Sequence, residues 1–351
     1  MRIALCLMML VFFCSSEDAF GQLNRRQIKK NNKKIASYRG RKSAFGKEKV
    51  YNAMGFSLNG LNYYGDMAPT PKRVSTDLGL TRPGVGLTFI HRFGPRYQLQ
   101  ASFLYGNLRG ADVESADSSD PANGIFRYNR NLSFRNRIKE LSVVGVFDLY
   151  QNQATYISRV NWTPYVYGGL AIFHHNPQAQ VPAQDLHGNL FPNAGEWVDL
   201  QPIGTEGQHA DLLETDANYG IKPYKRIQLS IPMGIGVRLR LNEVMDVAGE
   251  FGFRYLFTDY IDDLSSNYVD LGIFGNDELA KSLSYRSNEV VDNPGSFYTG
   301  RDDVQYEVIN GYGAEHPENI RGNRNNRDIY TVTTVRLTYI IGKTFHRAKF
   351  R

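Results

Sequence analysis

The stretch IQLSIPMGIGVRLRL, residues 227–241, decides the fold. Ile227, Leu229, Ile231, Met233, Ile235, Val237, Leu239 and Leu241 are apolar, and Gln228, Ser230, Pro232, Gly234, Gly236, Arg238 and Arg240 alternate with them. A helix would scatter the two sets around its circumference, whereas a strand puts each on its own face. The alternation outlasts an ordinary soluble strand of about five or six residues. It suits a tilted strand crossing a bilayer, which needs about nine to eleven. The apolar face would then meet lipid, and Arg238 and Arg240 would face a polar barrel interior. Ile235 is therefore expected to resist a charged substitution more strongly than lumen-facing Gly236 resists serine.

Seven other segments read the same way. The eight expected strands span roughly 51–64, 83–94, 97–107, 136–150, 162–174, 225–240, 245–258 and 329–343. In the third, Tyr97, Leu99, Ala101, Phe103 and Tyr105 alternate with Gln98, Gln100 and Ser102. In the seventh, Val247, Phe251, Phe253, Tyr255 and Phe257 oppose Glu250, Gly252 and Arg254. Short connections at Gly94-Pro95-Arg96, at Asn242-Glu243 and between the fourth and fifth strands alternate with four long ones. That is the pattern of an all-β, eight-stranded antiparallel transmembrane barrel with short periplasmic turns and long extracellular loops. An even strand count closes the sheet and leaves no edge in lipid. A soluble β-sandwich gives no reason for connections to alternate in length. The 22 Tyr and 20 Phe supply the aromatic girdles that such a barrel carries at the membrane interfaces.

The ends of the chain differ from its body. Residues 1–21 read as a signal peptide, with Arg2, an apolar run from Ile3 to Phe13, and Ala19-Phe20-Gly21 before the cleavage point. Both cysteines, Cys6 and Cys14, lie in that segment, so the expected mature chain has no disulfide and no thiolate metal site. Residues 22–49 form a basic leader with Arg25, Arg26, Lys29, Lys30, Lys33, Lys34, Arg39, Arg41, Lys42, Lys47 and Lys49 against Glu48 alone. Against a formal net charge of +6 for the whole chain, this leader alone holds +10. It has too few large apolar residues to fold by itself and is expected to be disordered in the periplasm. A basic run suggests nucleic acid, but the signal peptide directs the chain away from it. Residues 50–351 are expected to form the barrel domain.

Little in the sequence points to catalysis, a cofactor or a metal. Glu140, Asp148, Arg238, Arg240, Glu250, Arg254 and Arg336 face the expected lumen, where opposite charges can pair in a packed polar core rather than line an open pore. His174 and His175 are adjacent in a strand and point to opposite faces, so they cannot share an ion. His174, Asp66, Asp259 and Ser133 fall near outer strand ends, where a catalytic set could form. No nucleophile elbow accompanies them, and Gly84-Val85-Gly86 and Gly234-Ile235-Gly236 are strand glycines, not phosphate loops.

Six blocks occur in order: LNYYGDMAP (61–69), RPGVGLTFIHR (82–92), RNLSFRNRIKELS (130–142), TPYVYGGLAIFHHNPQA (163–179), WVDLQPIGTEGQ (197–208) and YLFTDYIDDLSSNYVD (255–270). With these blocks the chain resembles the PorG family, small outer-membrane barrels of the type IX secretion and gliding machinery of Bacteroidota. The resemblance covers about 51–285 and the last strand. It implies a non-enzymatic outer-membrane scaffold without cofactor, surrounded by outer-membrane lipid. It further implies contact with a periplasmic ring made of a PorK-like lipoprotein and its PorN-like partner. The basic leader and the length of 286–326 depart from the family pattern. The alternative is a stand-alone surface barrel, an adhesin or a lipid-modifying enzyme.

Overall fold

The computed structural model describes residues 50–67, 78–121, 124–152, 159–291, 295–324 and 327–341. The expected signal peptide and the leader residues Arg25, Arg26, Lys29, Lys30, Lys33, Lys34, Arg39, Arg41 and Lys42 lie outside them.

Twelve strands occur among the described residues: β1 (Tyr51–Tyr64), β2 (Arg82–Arg92), β3 (Tyr97–Ala111), β4 (Ser133–Asp148), β5 (Trp162–His174), β6 (Pro177–Gln180), β7 (Trp197–Asp199), β8 (Ile227–Arg240), β9 (Met245–Leu256), β10 (Gly295–Thr299), β11 (Gln305–Ile309) and β12 (Ile329–Ile341). Eight of them, β1 to β5, β8, β9 and β12, pair antiparallel with their neighbours. The β1–β12 pairing closes the ring, so the barrel has no free edge. Each expected strand is present within a few residues of its expected ends.

The period of two becomes two surfaces. Leu58, Leu87, Leu141, Leu170, Ile235 and Val335 are each about 60% exposed on the outer wall (60, 62, 59, 67, 62 and 58%). Ser57, Thr88, Gln100, Ser142, Glu250 and Thr334 on the alternate positions are buried inside. An apolar belt of this extent around a polar interior is stable only in lipid. The molecule is an outer-membrane barrel.

Three features were not expected. The outer connections carry structure of their own: β6 and β7 extend the sheet beyond β4, β10 pairs with β11, and helices span Gly124–Arg130 and Glu278–Ser284. Between β5 and β8 the hydrogen-bonded register is interrupted opposite Pro232, which has no N–H to donate. Finally, Gly236 does face the lumen but lies under the Tyr165 ring. A Cβ built there would sit 2.5 Å from Tyr165 Cζ, so serine would collide. Serine at Gly236 therefore requires the Tyr165 ring to shift, a constraint that alternation does not reveal.

Candidate functional site

The lumen is filled in three layers. At the inner end, buried Asp148 accepts hydrogen bonds from Gln98 (3.0 Å) and Arg238 (3.3 Å) and pairs with Arg92 (2.8 Å). Beside it Arg159 pairs with Asp246 (2.6 Å) and donates to the backbone carbonyls of Asn242, Glu243 and Met245. The middle layer holds two ion pairs, Arg254 with Glu140 (3.2 Å) and Arg336 with Glu250 (2.6 Å). Each carboxylate also accepts a tyrosine hydroxyl, Tyr330 on Glu140 (2.5 Å) and Tyr165 on Glu250 (2.6 Å). The two ion pairs line a cavity of about 40 Å³, together with Ser57, Asn59, Thr88, Gln100 and Ser142. That volume holds water but no larger solute.

The outer layer is apolar. Leu61, Tyr63, Leu104, Leu108, Phe134, Ile138, Phe173, Leu256, Tyr330 and Val332 point inward from the strands. Met67, Leu132, Ile261 and Leu264 descend from the outer connections to meet them. Gly84 and Gly106 face each other across β2 and β3, and a Cβ on either would come within 2.7 Å of Leu61. The two glycines are therefore the seat of the plug.

The seven charges read as lumenal thus separate. Glu140, Asp148, Arg238, Glu250, Arg254 and Arg336 meet a partner of opposite sign. Arg240 stands apart from them at the inner rim, donating to the carbonyls of Arg159 and Asn242. The expected packed polar core is corrected in part: the interior is packed, but its outer third is hydrophobic. A signal for this exists in the sequence. At the outer strand ends the inward positions become apolar or aromatic, as with Leu61 and Tyr63 in Leu61-Asn62-Tyr63-Tyr64. Arg92, Arg159 and Asp246, which complete the inner layer, have no comparable signal.

Above the plug, the outer connections tie into one cap. Arg130 grips Asp112 with Nε and Nη2 (both 2.8 Å) and donates to the carbonyls of Asp66 (2.9 Å) and Arg321 (2.6 Å). Arg321 in turn pairs with buried Glu206 (3.2 Å) and donates to the Asp263 carbonyl (2.8 Å). Four connections are thereby joined through two arginines. A second apolar cluster, Tyr268, Leu271, Tyr285, Tyr306, Val308 and Tyr312, forms inside the cap.

Beneath it, the Tyr63 hydroxyl bridges two fully buried carboxyls, Asp262 and Asp328. Burial pushes both well above the usual carboxylate range, and nearby acids add to the shift. Asp259 is pushed up to about 8, mainly by burial. Asp66 accepts from the Asn323 N–H (2.6 Å) and Asp259 from the Ser265 hydroxyl (2.9 Å). Among the described residues no hydrogen bond joins Asp66, Asp259, Ser133 and His174, so the rim residues do not assemble a triad.

The fold and its sealed lumen define the class as a small, closed outer-membrane β-barrel. Residues 43–187 match the model of a family described as a domain of unknown function, DUF6089. No curated protein matches the chain. Similar solved structures include Ail, the attachment invasion locus protein of Yersinia pestis (7% identity, 84% of this chain and 99% of that one, TM-score 0.32). Neisserial surface protein A (5%, 82% and 96%, 0.33) and OprG of Pseudomonas aeruginosa (8%, 84% and 98%, 0.33) also occur among them.

Proposed function

We propose that this barrel is a non-enzymatic scaffold of a type IX secretion apparatus, fixing a periplasmic ring to the outer membrane. The observation that supports this reading best is the lumen, filled from the inner ion pairs to the outer plug. A barrel with no path through it acts by its surfaces. The family resemblance of its sequence blocks names the machine, and the basic leader names a partner chemistry. An acidic face on the ring proteins, a PorK-like lipoprotein and its PorN-like partner, matches the leader cations Arg25, Arg26, Lys29, Lys30, Lys33, Lys34, Arg39, Arg41 and Lys42. Such a contact is mainly electrostatic and weakens as salt shortens the screening length to about 8 Å at physiological strength.

Purification of the full chain in mild detergent tests this. Ring proteins are expected to co-purify, with recovery falling as salt rises. A variant lacking residues 25–42 is expected to insert normally and recover less ring protein. No ring protein with either form rejects the scaffold reading, and equal recovery across the salt series reduces the leader to a spacer. A second reading, a stand-alone adhesin, has in its favour the cross-tied outer cap; it predicts cell-surface binding without ring recovery.

A further inference from the structure

Along the outward positions of the barrel strands, Lys and Arg occur in one place. At the outer ends of β3, β4 and β5, the outward-facing positions are Arg109, Arg135, Arg137, Lys139 and His174, and Arg226 lies just before β8. The register sets Arg109 directly opposite Arg135 and Lys139 directly opposite His174. Arg109 and Arg135 carry like charge, and like charges facing each other across strands destabilise a sheet. Counter-charges offset this only in part: Arg109 pairs with Glu114 and Arg226 with Asp199 (3.4 Å). Asp199 also lies close enough to Arg137 to attract it, but among the described residues no carboxylate forms a direct ion pair with Arg137 or Lys139, both of which are exposed. Arg135 is held in place, its Nε donating to Gln178 (3.0 Å) and its guanidinium lying 4.0 Å over the Trp197 ring.

Height in the membrane identifies what faces this patch. Leu141, the next outward residue below Lys139, is 59% exposed and belongs to the lipid belt. Two residues along a tilted strand climb about 5 Å along the barrel axis. Lys139, Arg137 and Arg135 therefore rise about 5 to 15 Å above Leu141, through the headgroup layer of the outer leaflet. An anchoring girdle would encircle the barrel. Here the outward positions at the outer ends of β1, β12 and β9 hold Asn62, Tyr64, Thr331, Thr333 and Tyr255, all uncharged, and Arg327 just before β12 donates to the Tyr255 hydroxyl (2.9 Å).

We infer that this wall binds the phosphorylated headgroup of an outer-leaflet glycolipid, with Arg137 and Lys139 as its principal contacts. A phosphate supplies the missing counter-charge, and guanidinium groups match its geometry. This inference stands independently of the secretion reading.

Native mass spectrometry of the full-length protein in neutral detergent tests it, with bisphosphorylated lipid A as probe. The wild type should retain lipid A, and R137Q/K139Q should bind it about tenfold more weakly or worse. Lys222→Gln, on the exposed cap away from the patch, should bind like wild type. Both substitutions lie at exposed positions, and heat-modifiable migration on a gel checks that the barrel is folded; Arg109→Gln serves if it is not. Dephosphorylated lipid A should bind the wild type no better than phosphorylated lipid A binds the double variant. Unchanged binding by the folded variants overturns the inference, as does equal binding of the dephosphorylated lipid. Equal competition by inorganic phosphate would assign the patch to a free ion, and equal binding of polyglutamate to an acidic protein; either result rejects the lipid headgroup.

Discussion

Arg254 shows what single residues do in this lumen. Its guanidinium neutralises Glu140, which also accepts the Tyr330 hydroxyl, and all three groups are buried. Removing one member of a buried pair leaves an uncompensated charge and costs about 3–5 kcal/mol, whereas replacing both by apolar groups is often neutral. Arg254→Met is therefore expected to destabilise the barrel by that amount in urea unfolding from detergent. The double variant Arg254→Met/Glu140→Leu should regain most of the loss. Additive losses would show that the two charges act independently. The sequence revealed that Arg254 and Glu140 face the lumen, because facing follows from alternation alone. It did not reveal their pairing, which depends on bringing positions 114 residues apart to one level of a closed ring. Gly236 taught the same lesson: its direction was legible, but the Tyr165 ring above it was not.

At the scale of elements, the strands were legible and the connections were not. A membrane strand writes one apolar residue at every second position, a signal that needs no tertiary information. β6, β7, β10 and β11 are three to five residues long and carry no comparable pattern. The cap that contains them depends on Arg130 and Arg321, whose partners lie in distant connections. One consequence of this cap is a pH dependence. Asp262 and Asp328 share the Tyr63 hydroxyl, and Asp66 and Asp259 add negative charge nearby; of these, Arg130 offsets Asp66, while Arg321 offsets Glu206 beside Asp259. In an unfolded chain such carboxyls titrate near pH 4, about the ordinary value. In the cap they hold their protons to higher pH, Asp259 to about 8. Between those limits the folded cap binds more protons than the unfolded one, so its stability falls as pH rises. Amides of residues 259–266 should thus be less protected from hydrogen exchange at about pH 9 than at about pH 5, after correction for intrinsic rates. Asp262→Asn should flatten the difference, because the amide stays neutral throughout. Equal protection at both pH values in the wild type would contradict the assignment of buried protons to this layer.

For the whole molecule, the remaining question of orientation is decided by connection length and charge. The turns at 93–96 and 241–244 and the connection at 149–161 lie at one end, with the start of β1 and the end of β12. The connections 65–81, 112–132, 175–226 and 257–328 lie at the other. These four hold 27 Asp or Glu against 13 Lys or Arg, whereas the leader 22–49 is +10. Long connections belong outside in barrels of this kind, because the short turns are the ones left in the periplasm. That arrangement puts the acidic cap at the cell surface and the basic wall of β3 to β5 in the outer leaflet, and it is the one the proposed periplasmic contact requires. Reversal would place the same wall among inner-leaflet headgroups, so the topology underlies both proposals. Cysteine labelling decides it cleanly, since Cys6 and Cys14 both lie in the expected signal peptide. Leu190 is 77% exposed in the cap, and Glu243 is exposed in the β8–β9 turn. Leu190→Cys should react with a membrane-impermeant maleimide on intact cells, and Glu243→Cys only after the outer membrane is permeabilised. Labelling of Glu243→Cys but not Leu190→Cys on intact cells would mean that the barrel is inserted the other way up, and both the ring contact and the outer-leaflet lipid site would fall with it.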